Sequence, residues 1–340
     1  MLFTLPLVDL PIYAYGVMLG LSFIGGYYLA FHFVNREGLP YKGVTWTLIA
    51  AIVFALVGAR IGHIASNSTW AQIRMQGLFR VLFASRCEGL VAYGGFIGGT
   101  LAAVVTARIR RFDFWSLADC ASPGLALGLG ATRIGCFLAG CCHGQPSDLP
   151  WAMVFPPGSQ AARVFPDPAA PADAAWSLPV HPTQLYESAV GWLLLPLAIW
   201  LLKRRRFTGQ SFLIVVAIYA AARFGLEFIR GDDDRGTVLG VFSTSQFIGL
   251  ALLPLVAGLL LWRWKVGPKP PEPLDREQVR QSLVEQGVIP ADKAREKTRE
   301  GKARKTDAGG GGSVKKNGKK DGKKKKKGKK GRRQQFRTDP

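Results

Sequence analysis

Long apolar runs dominate roughly the first 265 residues, and short basic loops separate them. Several runs reach the roughly 20 residues that a helix needs to cross a bilayer. This pattern predicts an all-α, polytopic integral membrane protein with about seven transmembrane helices. The predicted spans lie at about residues 13–34, 44–66, 89–107, 113–140, 184–202, 211–229 and 241–262. The fourth span fits the pattern least well, because Pro123 and several glycines interrupt it.

Basic residues in the short loops predict how the spans are oriented, since loops rich in lysine and arginine stay in the cytoplasm. Three such loops fall on one side of the predicted bundle, with basic residues at Arg36, Lys42, Arg108, Arg110, Arg111 and 203–206. The long loop 141–181 lies opposite and carries only Arg163, although Arg74, Arg80 and Arg86 also fall on that side. We therefore expect the amino terminus outside the cytoplasm and the carboxyl terminus inside it.

The composition changes after residue 266. Roughly 24 of the 44 lysines and arginines lie beyond that point, with hardly any large apolar side chains. Such a segment cannot bury enough apolar surface to fold, so we expect a membrane domain at 1–265 and a disordered, basic cytoplasmic tail at 266–340. The tail, including Lys323–Lys327, could bind anionic lipid head groups, at about 1 kcal/mol per basic side chain. Its single aromatic residue, Phe336, gives no stacking platform, so we expect no specific nucleic-acid binding.

Ionisable residues inside the predicted spans indicate a functional site, because charge at that depth is costly. Arg60, Arg133 and Arg223 lie near the outer ends of three spans, and Glu227 follows Arg223 by four residues on the same helix face. Singly, an arginine could snorkel to the interface or form a structural buried pair. Together, three guanidinium groups in one small bundle suit a phosphate, and we expect them to bind the phosphate of a lipid.

Further polar residues are expected at the same outer end of the bundle. Two tyrosines, Tyr15 and Tyr93, open the first and third spans, where tyrosine also serves as an interfacial anchor. The segment 181–187 enters the fifth span, and a helix amino terminus with such groups can accept an anion, position a base or simply be capped. Its candidate residues are His181, Gln184, Tyr186 and Glu187.

Six motifs in fixed order make the chain similar to a known family over about residues 10–262. They are YGVM at 15–18, GARIG at 58–62, EGLVAYGGFIGG at 88–99, RIGCFLAG at 133–140, HPTQLYE at 181–187 and RFGLEFIR at 223–230. The chain resembles the bacterial phosphatidylglycerol-prolipoprotein diacylglyceryl transferases. The resemblance implies an enzyme of the bacterial inner membrane, so that the amino terminus, placed outside by the loop charges, is periplasmic. We expect no cofactor. Such an enzyme transfers the diacylglyceryl group of phosphatidylglycerol to the lipobox cysteine of prolipoproteins, forming a thioether and releasing glycerol phosphate.

The resemblance matches Arg133, Arg223, Glu227 and Tyr15 to functional residues of the family. For a transferase of this kind we expect the following roles. Arg133 and Arg223 would hold the phosphate, Glu227 would orient Arg223, and Tyr93 and His181 would assist the attack of the thiol. The residues expected to bind phosphatidylglycerol are Arg133, Arg223, Tyr15, Arg60, Gly135, Gln184, Tyr186 and Glu187.

Three positions depart from the family pattern. Tyr93 replaces a histidine, Cys136 an asparagine and Cys141 a glutamate. These changes affect the groups that would move the thiol proton, a task that His181 or Glu187 could take over. They also favour an alternative, in which the chain has lost transfer chemistry and serves as a lipid-binding or thiol-redox membrane protein through its Cys-Cys-His cluster.

The cysteines themselves do not have the spacing of a common metal site. Adjacent Cys141 and Cys142 lack the C-x-x-C arrangement that points two thiolates at one zinc ion, so we expect no metal. Oxidation could pair Cys141 or Cys142 with Cys87. Small apolar packing is the simplest role for Cys120 and Cys136.

Overall fold

The computed structural model describes residues 3–5, 10–12, 14–67, 92–169, 171, 175–231, 237–238 and 242–290. The chain divides into two units, Met1–Pro290 and Ala291–Pro340, and the second lies outside the described residues. So do several sequence predictions, namely those on Arg74, Arg80, Arg86, Cys87, Lys323–Lys327 and Phe336, together with the side chain of Tyr93.

Helices form most of the described chain, which confirms the all-α membrane fold. The long ones are α1 (Ala14–Arg36), α2 (Tyr41–Asn67), α3 (Ala92–Ile109), α4 (Phe114–Ala139), α6 (Thr183–Arg204), α7 (Gln210–Leu226) and α8 (Thr244–Val266). Two shorter helices are α5 (Gln160–Val164) and α9 (Arg276–Glu285), and a 3-10 turn at Glu227–Ile229 follows α7. Two small antiparallel hairpins pair β1 (Phe3–Leu5) with β2 (Leu10–Ile12) and β3 (Thr237–Val238) with β4 (Phe242–Ser243).

Each of the seven predicted spans falls on one of the long helices. Within the described residues, five helices are long and apolar enough to cross a membrane, rather than seven. The apolar part described for α3, Gly94–Ile109, is shorter than that. The other exception is α4, whose buried residues include Ser116 and Asp119. It packs against α1, α6 and α7, and this central position accounts for its polar composition.

The helices pack in close pairs through glycines. In the pair α4 and α6, a Cβ atom added at Gly191 would collide with the backbone of Gly130. In the pair α2 and α3, a Cβ atom at Gly58 would collide with the carbonyl of Gly94. Small residues at such contacts let helix backbones approach closely in a membrane. The first of these contacts sets the distance between the two helices that build most of the candidate site.

Pro123 does not interrupt α4, which continues from Phe114 to Ala139. Proline cannot donate the backbone hydrogen bond that the carbonyl four residues earlier, that of Asp119, would accept. The hydroxyl of Ser122 donates to this carbonyl at 2.8 Å instead. A neighbouring side chain thus satisfies the freed carbonyl, which is how membrane helices tolerate an internal proline.

A buried ionic cluster closes the end of the bundle opposite the candidate site. Arg205 pairs with Asp119 at 2.8 Å and with Glu37 at 2.5 Å. Burial disfavours the charged guanidinium, but the Asp119 and Glu37 carboxylates outweigh it and raise the pKa of Arg205. Asp119 also accepts backbone N–H groups of Gly209 and Phe212 at the start of α7. This cluster fixes the ends of α1, α4, α6 and α7 together.

Large apolar side chains cover the outside of the bundle. Leu193, Tyr28 and Ile97 are 72%, 70% and 63% exposed. Patches of this kind are rare on soluble monomers, whereas a bilayer would cover them. The molecule is a multi-pass membrane protein.

The start of the predicted tail is folded in part. Helix α9 has a capping box at Asp275 and Gln278. The N–H of Leu274 donates to the carbonyl of Arg36 at 2.6 Å, and the side chain of Gln286 accepts the N–H of Tyr41 at 2.6 Å. Residues 266–290 therefore differ from the disorder expected there, because they pack on the loop between α1 and α2. The division into domains at residue 265 stays a prediction.

Candidate active site

A glycine at the end of α4 shapes the candidate site. Gly140 has φ 65° and its N–H donates to the carbonyls of Cys136 and Phe137, an end that favours glycine because other residues resist this conformation. The next N–H, that of Cys141, also donates to Cys136, at 3.2 Å. The chain therefore turns back sharply, and Cys141 and Cys142 come to lie beside the last turn of the helix.

The loop after α4 is held between two distant parts of the chain. The N–H of Gly144 donates to the carbonyl of His181 at 2.9 Å, and that of Gln145 donates to the carbonyl of Ile229 at 3.0 Å. The N–H of Gly231 donates to the carbonyl of His143 at 3.2 Å. These backbone hydrogen bonds bring the end of α4, the start of α6 and the end of α7 to one place.

Glu187, on the first turns of α6, is the centre of an ion-pair network. One of its oxygens pairs with Arg133 of α4 at 2.7 Å, and the other lies 3.8 Å from Arg230. The hydroxyl of Tyr219 on α7 donates to Glu187 at 2.7 Å. Glu187 is 1% exposed. Its carboxylate is thus fully engaged and desolvated, a setting that orients arginines rather than one that leaves a base open to substrate.

The network continues through Glu227 to the end of α7. Arg223 pairs with Glu227 at 2.6 Å, one helical turn apart, and Arg230 lies 3.9 Å from the same carboxylate. Among the residues that the structure describes, three arginines therefore share two glutamates. Both Arg223 and Arg230 are buried. Several guanidinium groups in one place are forked donors suited to a phosphate or another anion.

The entrance to α6 carries a second polar group of residues. The hydroxyl of Tyr186 accepts the indole N–H of Trp151 at 2.7 Å and lies 3.4 Å from Nδ1 of His181. The amide of Gln184 donates to the carbonyl of Cys141 at 2.8 Å, and Gln184 is buried. His181 is half-buried. Of the side chains in this group, its imidazole is the one best suited to accept a proton.

The amino-terminal helix reaches the same place through Tyr15. A Cβ atom added at Gly135 of α4 would lie 3.3 Å from the Cα atom of Tyr15 and 3.0 Å from Met18. Gly135 therefore lets α1 approach α4 two residues beyond Arg133. The structure thus brings Tyr15 and Gly135 to the neighbourhood of the network.

Two other predicted residues are placed differently. Arg60 lies on α2, which packs against α3, whereas α4, α6 and α7 carry the ion-pair network. Tyr93 lies at the start of α3, and its side chain is outside the described residues. Their membership of the site stays a prediction.

Three thiols lie together next to Arg133. The sulfur atoms of Cys136, Cys141 and Cys142 are all within 4.8 Å of one another, and Nη1 of Arg133 contacts the Cys136 sulfur at 3.9 Å.

The hydrogen bond with Cys136 is the main cause that lowers the pKa of Cys142, with Arg230 and Arg133 acting in the same direction. The hydrogen bond with Cys136 raises the pKa of Cys141. The Gly140 turn brings the three sulfurs together without a C-x-x-C motif, which differs from the separation expected from their spacing in the sequence.

Sequence reasoning missed two members of the network. Arg230 closes the RFGLEFIR motif but received no role, although it follows Glu227 by three residues. Tyr219 precedes Arg223 by four residues and so lies on the same face of α7. In both cases the sequence spacing was the available signal: that of Arg230 from Glu227, and that of Tyr219 from Arg223.

Comparison with known proteins agrees with these features. A family model described as prolipoprotein diacylglyceryl transferase matches residues 1–264. Phosphatidylglycerol–prolipoprotein diacylglyceryl transferase 2 of Clostridium perfringens (strain 13 / Type A) is 32% identical over 253 residues, covering 74% of the chain and 91% of the relative. The phosphatidylglycerol–prolipoprotein diacylglyceryl transferase of Geobacter sulfurreducens is 32% identical over 264 residues, with 75% and 92% covered. That of Pseudomonas putida is 32% identical over 269 residues, with 77% and 92% covered.

Proposed function

The chain belongs to the prolipoprotein diacylglyceryl transferase family, and from this premise we propose that it transfers diacylglyceryl from phosphatidylglycerol to a prolipoprotein cysteine. This is the first step of lipoprotein maturation. The observation that carries the proposal is the buried network of three arginines and two glutamates at the end of α4. Its three clustered guanidinium groups suit the phosphate that leaves in this reaction.

The reaction replaces one bond to a glyceryl carbon by another. The cysteine sulfur forms a bond to that carbon, the carbon–oxygen bond to the phosphate breaks, and its electron pair departs with glycerol phosphate. The thiol loses its proton to a base. Negative charge therefore develops on the phosphate, and fixed donors aimed at developing charge contribute more than any other single effect.

Arg133 and Arg223 are the proposed phosphate ligands. Each guanidinium is held by one carboxylate, Arg133 by Glu187 and Arg223 by Glu227. A guanidinium has five N–H donors in a fixed fork, and this fork matches the oxygens of a phosphate. Arg230, which lies between the two glutamates, adds its charge to the same region.

The thiol proton has a proposed acceptor in His181. Its ring is half-buried and meets the Tyr186 hydroxyl, which holds the imidazole in one orientation. Glu187 is the less suitable acceptor because its two oxygens face Arg133, Arg230 and Tyr219. We propose that Tyr93 acts as a hydrogen-bond donor, since a tyrosine pKa of about 10 leaves the phenol protonated at neutral pH.

The remaining proposed residues bind the lipid around this centre. Tyr15 and Gly135 lie at the contact of α1 with α4, and Gln184 and Tyr186 lie at the start of α6. Arg60 completes the set as a proposed ligand from α2.

We propose that the protein resides in the bacterial inner membrane with a periplasmic amino terminus and a cytoplasmic carboxyl terminus. The loop charges support this orientation. It places the end of α4 at the periplasmic side, where secreted precursors with a lipobox cysteine arrive. The basic tail is proposed to rest on anionic lipid head groups of the opposite leaflet.

A transfer assay with purified protein in nanodiscs tests this function. The substrates are phosphatidylglycerol and a lipobox peptide, and the product is the diacylglyceryl thioether, measured by mass spectrometry. We expect Arg133→Ala to lower the rate by about 100-fold or more, as the loss of one donor to developing charge does elsewhere. No transfer by the intact chain would contradict the proposal and favour a lipid-binding or thiol-redox relative.

Arg163→Ala is the matched control. Arg163 is an exposed arginine on α5 whose guanidinium donates to the carbonyl of Gly158 at 3.0 Å. Its removal takes away the same charge, but from α5 in the segment that follows α4, without touching the network. An equal loss of rate in both variants would show that general charge, and not the placement of Arg133, is what matters.

A further inference from the structure

The three thiols beside Arg133 are arranged as ligands around a common point. Cys136 is buried, and Cys141 and Cys142 are partly exposed, so the cluster is closed on one side and open on the other. In a tetrahedral zinc site with Zn–S bonds of about 2.3 Å, two sulfurs lie roughly 3.8 Å apart. Sulfurs already within 4.8 Å of one another reach that spacing by small side-chain movements.

The backbone around the thiols is fixed from several sides. The carbonyl of Cys141 accepts the amide of Gln184, and the carbonyl of Cys142 accepts the hydroxyl of Thr183, both at 2.8 Å. The N–H of Cys142 donates to the side chain of Gln160 at 3.2 Å. Groups that orient the ligands in this way are a regular part of metal sites.

The number of ligands distinguishes a structural site from a catalytic one. Among the described residues, the group of mutually close ligand atoms consists of these three sulfurs. Structural zinc sites are closed by four protein ligands, whereas catalytic sites use three and keep a fourth position open. The partly exposed side formed by Cys141 and Cys142 is where a fourth ligand can enter.

Charge balance also favours a metal here. Three thiolates and a divalent cation carry one net negative charge, and Arg133 lies against the Cys136 sulfur at 3.9 Å. Thiolates select zinc or copper(I) over magnesium and calcium. Zinc has no redox chemistry, and the transfer reaction involves none.

We propose that Cys136, Cys141 and Cys142 form a three-thiolate zinc site whose open position binds the cysteine thiol of the prolipoprotein. The inference rests on the proposed function, which it deepens by assigning the thiol its own binding site. A thiol bound to zinc is deprotonated outright, and its proton passes to His181. The sulfur then attacks the glyceryl carbon while the phosphate leaves toward Arg133, which already contacts the cluster.

This assignment accounts for the three departures from the family pattern together. Cys136 and Cys141 stand where asparagine and glutamate are usual, and Tyr93 stands where a histidine is usual. Two extra thiols therefore coincide with the replacement of a candidate base. A metal that stabilises the substrate thiolate, with His181 receiving the proton, makes that base dispensable.

The first experiment measures metal binding by the full-length protein in nanodiscs. Zinc content is determined by elemental analysis, and Co²⁺ is titrated as a probe whose thiolate charge-transfer absorption reports sulfur ligands. We expect one metal ion per chain. Cys141→Ser and Cys142→Ser should weaken Co²⁺ binding by more than about 100-fold, since even the loss of a residue that only supports a ligand costs about 10- to 100-fold.

Cys120→Ala is the matched control, because Cys120 is a buried cysteine on α4 that packs in the apolar cluster with Phe31 and Leu117. It should bind Co²⁺ like the unmodified chain. Absence of thiolate absorption in the fully reduced, unmodified protein would overturn the proposal. So would equal Co²⁺ binding by the chain with Cys141→Ser and Cys142→Ser combined.

The second experiment asks whether the substrate thiol binds the metal. A lipobox peptide added to the Co²⁺ form should increase the thiolate absorption, whereas the same peptide with Cys→Ser should not. Chelation should lower transfer about tenfold or more, and zinc should restore it, because only a few per cent of a free thiol with pKa near 8.5 is ionised at pH 7. Full transfer by the metal-free protein would overturn the proposal.

The two proposals fail in different ways. A chain that binds metal and peptide thiol yet transfers no lipid contradicts the transferase function and leaves the zinc site in place. A chain that transfers lipid at the same rate with and without metal contradicts the zinc site and leaves the transferase function in place.

Discussion

Glu187 shows how one buried side chain can organise a membrane active site. It receives Arg133, Arg230 and the hydroxyl of Tyr219, so that three helical segments meet at one carboxylate. Breaking such a buried pair from one side typically costs 3–5 kcal/mol, because the remaining charge is left uncompensated. The carboxylate thus positions the arginines that we propose as ligands of the phosphate.

A change at Tyr219 tests this positioning role. Tyr219→Phe removes the hydroxyl that donates to Glu187 at 2.7 Å and keeps the ring. Hydrogen bonds to charged groups are worth about 1.5–3 kcal/mol, so we expect the transfer rate to fall by roughly 10- to 100-fold. Initial rates over a range of phosphatidylglycerol concentrations measure the effect.

Tyr28→Phe serves as the comparison for Tyr219→Phe. Tyr28 is 70% exposed on the outer surface of α1, so its loss of a hydroxyl should leave the rate unchanged. A rate for Tyr219→Phe equal to that of the unmodified chain would remove Tyr219 from the positioning network.

Sequence alone could indicate only part of this residue-level arrangement. Arg133, Arg223 and Glu227 stand out because charges inside apolar runs are rare. The contacts of Tyr219 and Arg230 with Glu187 join α7 and its 3-10 turn to α6, and no local pattern encodes that distance. The thiol cluster depends on the φ 65° turn at Gly140, which brings side chains five and six residues apart together.

At the scale of elements, the helices were predictable and their mutual distances were not. Length and hydropathy indicate a span, and each predicted span falls on a helix. Pro123 misled the reading of α4, because the compensating bond from Ser122 depends on a side-chain conformation. The close approach of α4 and α6 at Gly130 and Gly191 is likewise visible only in the packed structure.

We expect Gly191→Ala to damage both stability and activity. The new Cβ atom would collide with the backbone of Gly130, and overpacking of this kind typically costs about 1–3 kcal/mol. Moving α6 away from α4 also lengthens the 2.7 Å pair between Arg133 and Glu187. Thermal unfolding in detergent and the transfer assay measure the two effects.

Gly128→Ala provides the matched control for Gly191→Ala. Gly128 lies on α4 with nothing within 4 Å of its added Cβ atom, and alanine is the better helix former by about 1 kcal/mol. This variant should be as stable as the unmodified chain or more so. If both variants unfold at the same temperature, the contact at Gly130 does not set the helix distance.

At the scale of the whole molecule, the described site lies entirely before residue 232, while most of the positive charge lies after residue 266. The ion-pair network is thus set apart along the sequence from the strongly basic end of the chain. Composition was sufficient to predict this separation. It was not sufficient to predict α9, because a ten-residue helix with a capping box is a local feature within a polar segment.

Removal of residues 291–340 should leave transfer unchanged in nanodiscs of phosphatidylglycerol. The truncated chain keeps every described residue of the network and α9. In the transfer assay, the truncated chain should behave like the full chain with vesicles that contain anionic lipids. A separate peptide of residues 291–340 should co-sediment with such vesicles and be released by salt. A truncated chain with a greatly reduced transfer rate would show that the tail takes part in catalysis.

The contacts of α9 have a practical consequence for mapping the topology of this protein. Leu274 and Gln286 join the segment after the last span to Arg36 and Tyr41 by hydrogen bonds. The segment up to Pro290 is therefore attached to that end of the bundle. A reporter enzyme fused at residue 266 would remove these contacts, and its signal would report on a protein that lacks them. Reporters joined after residue 290 would instead read the side on which the intact chain ends.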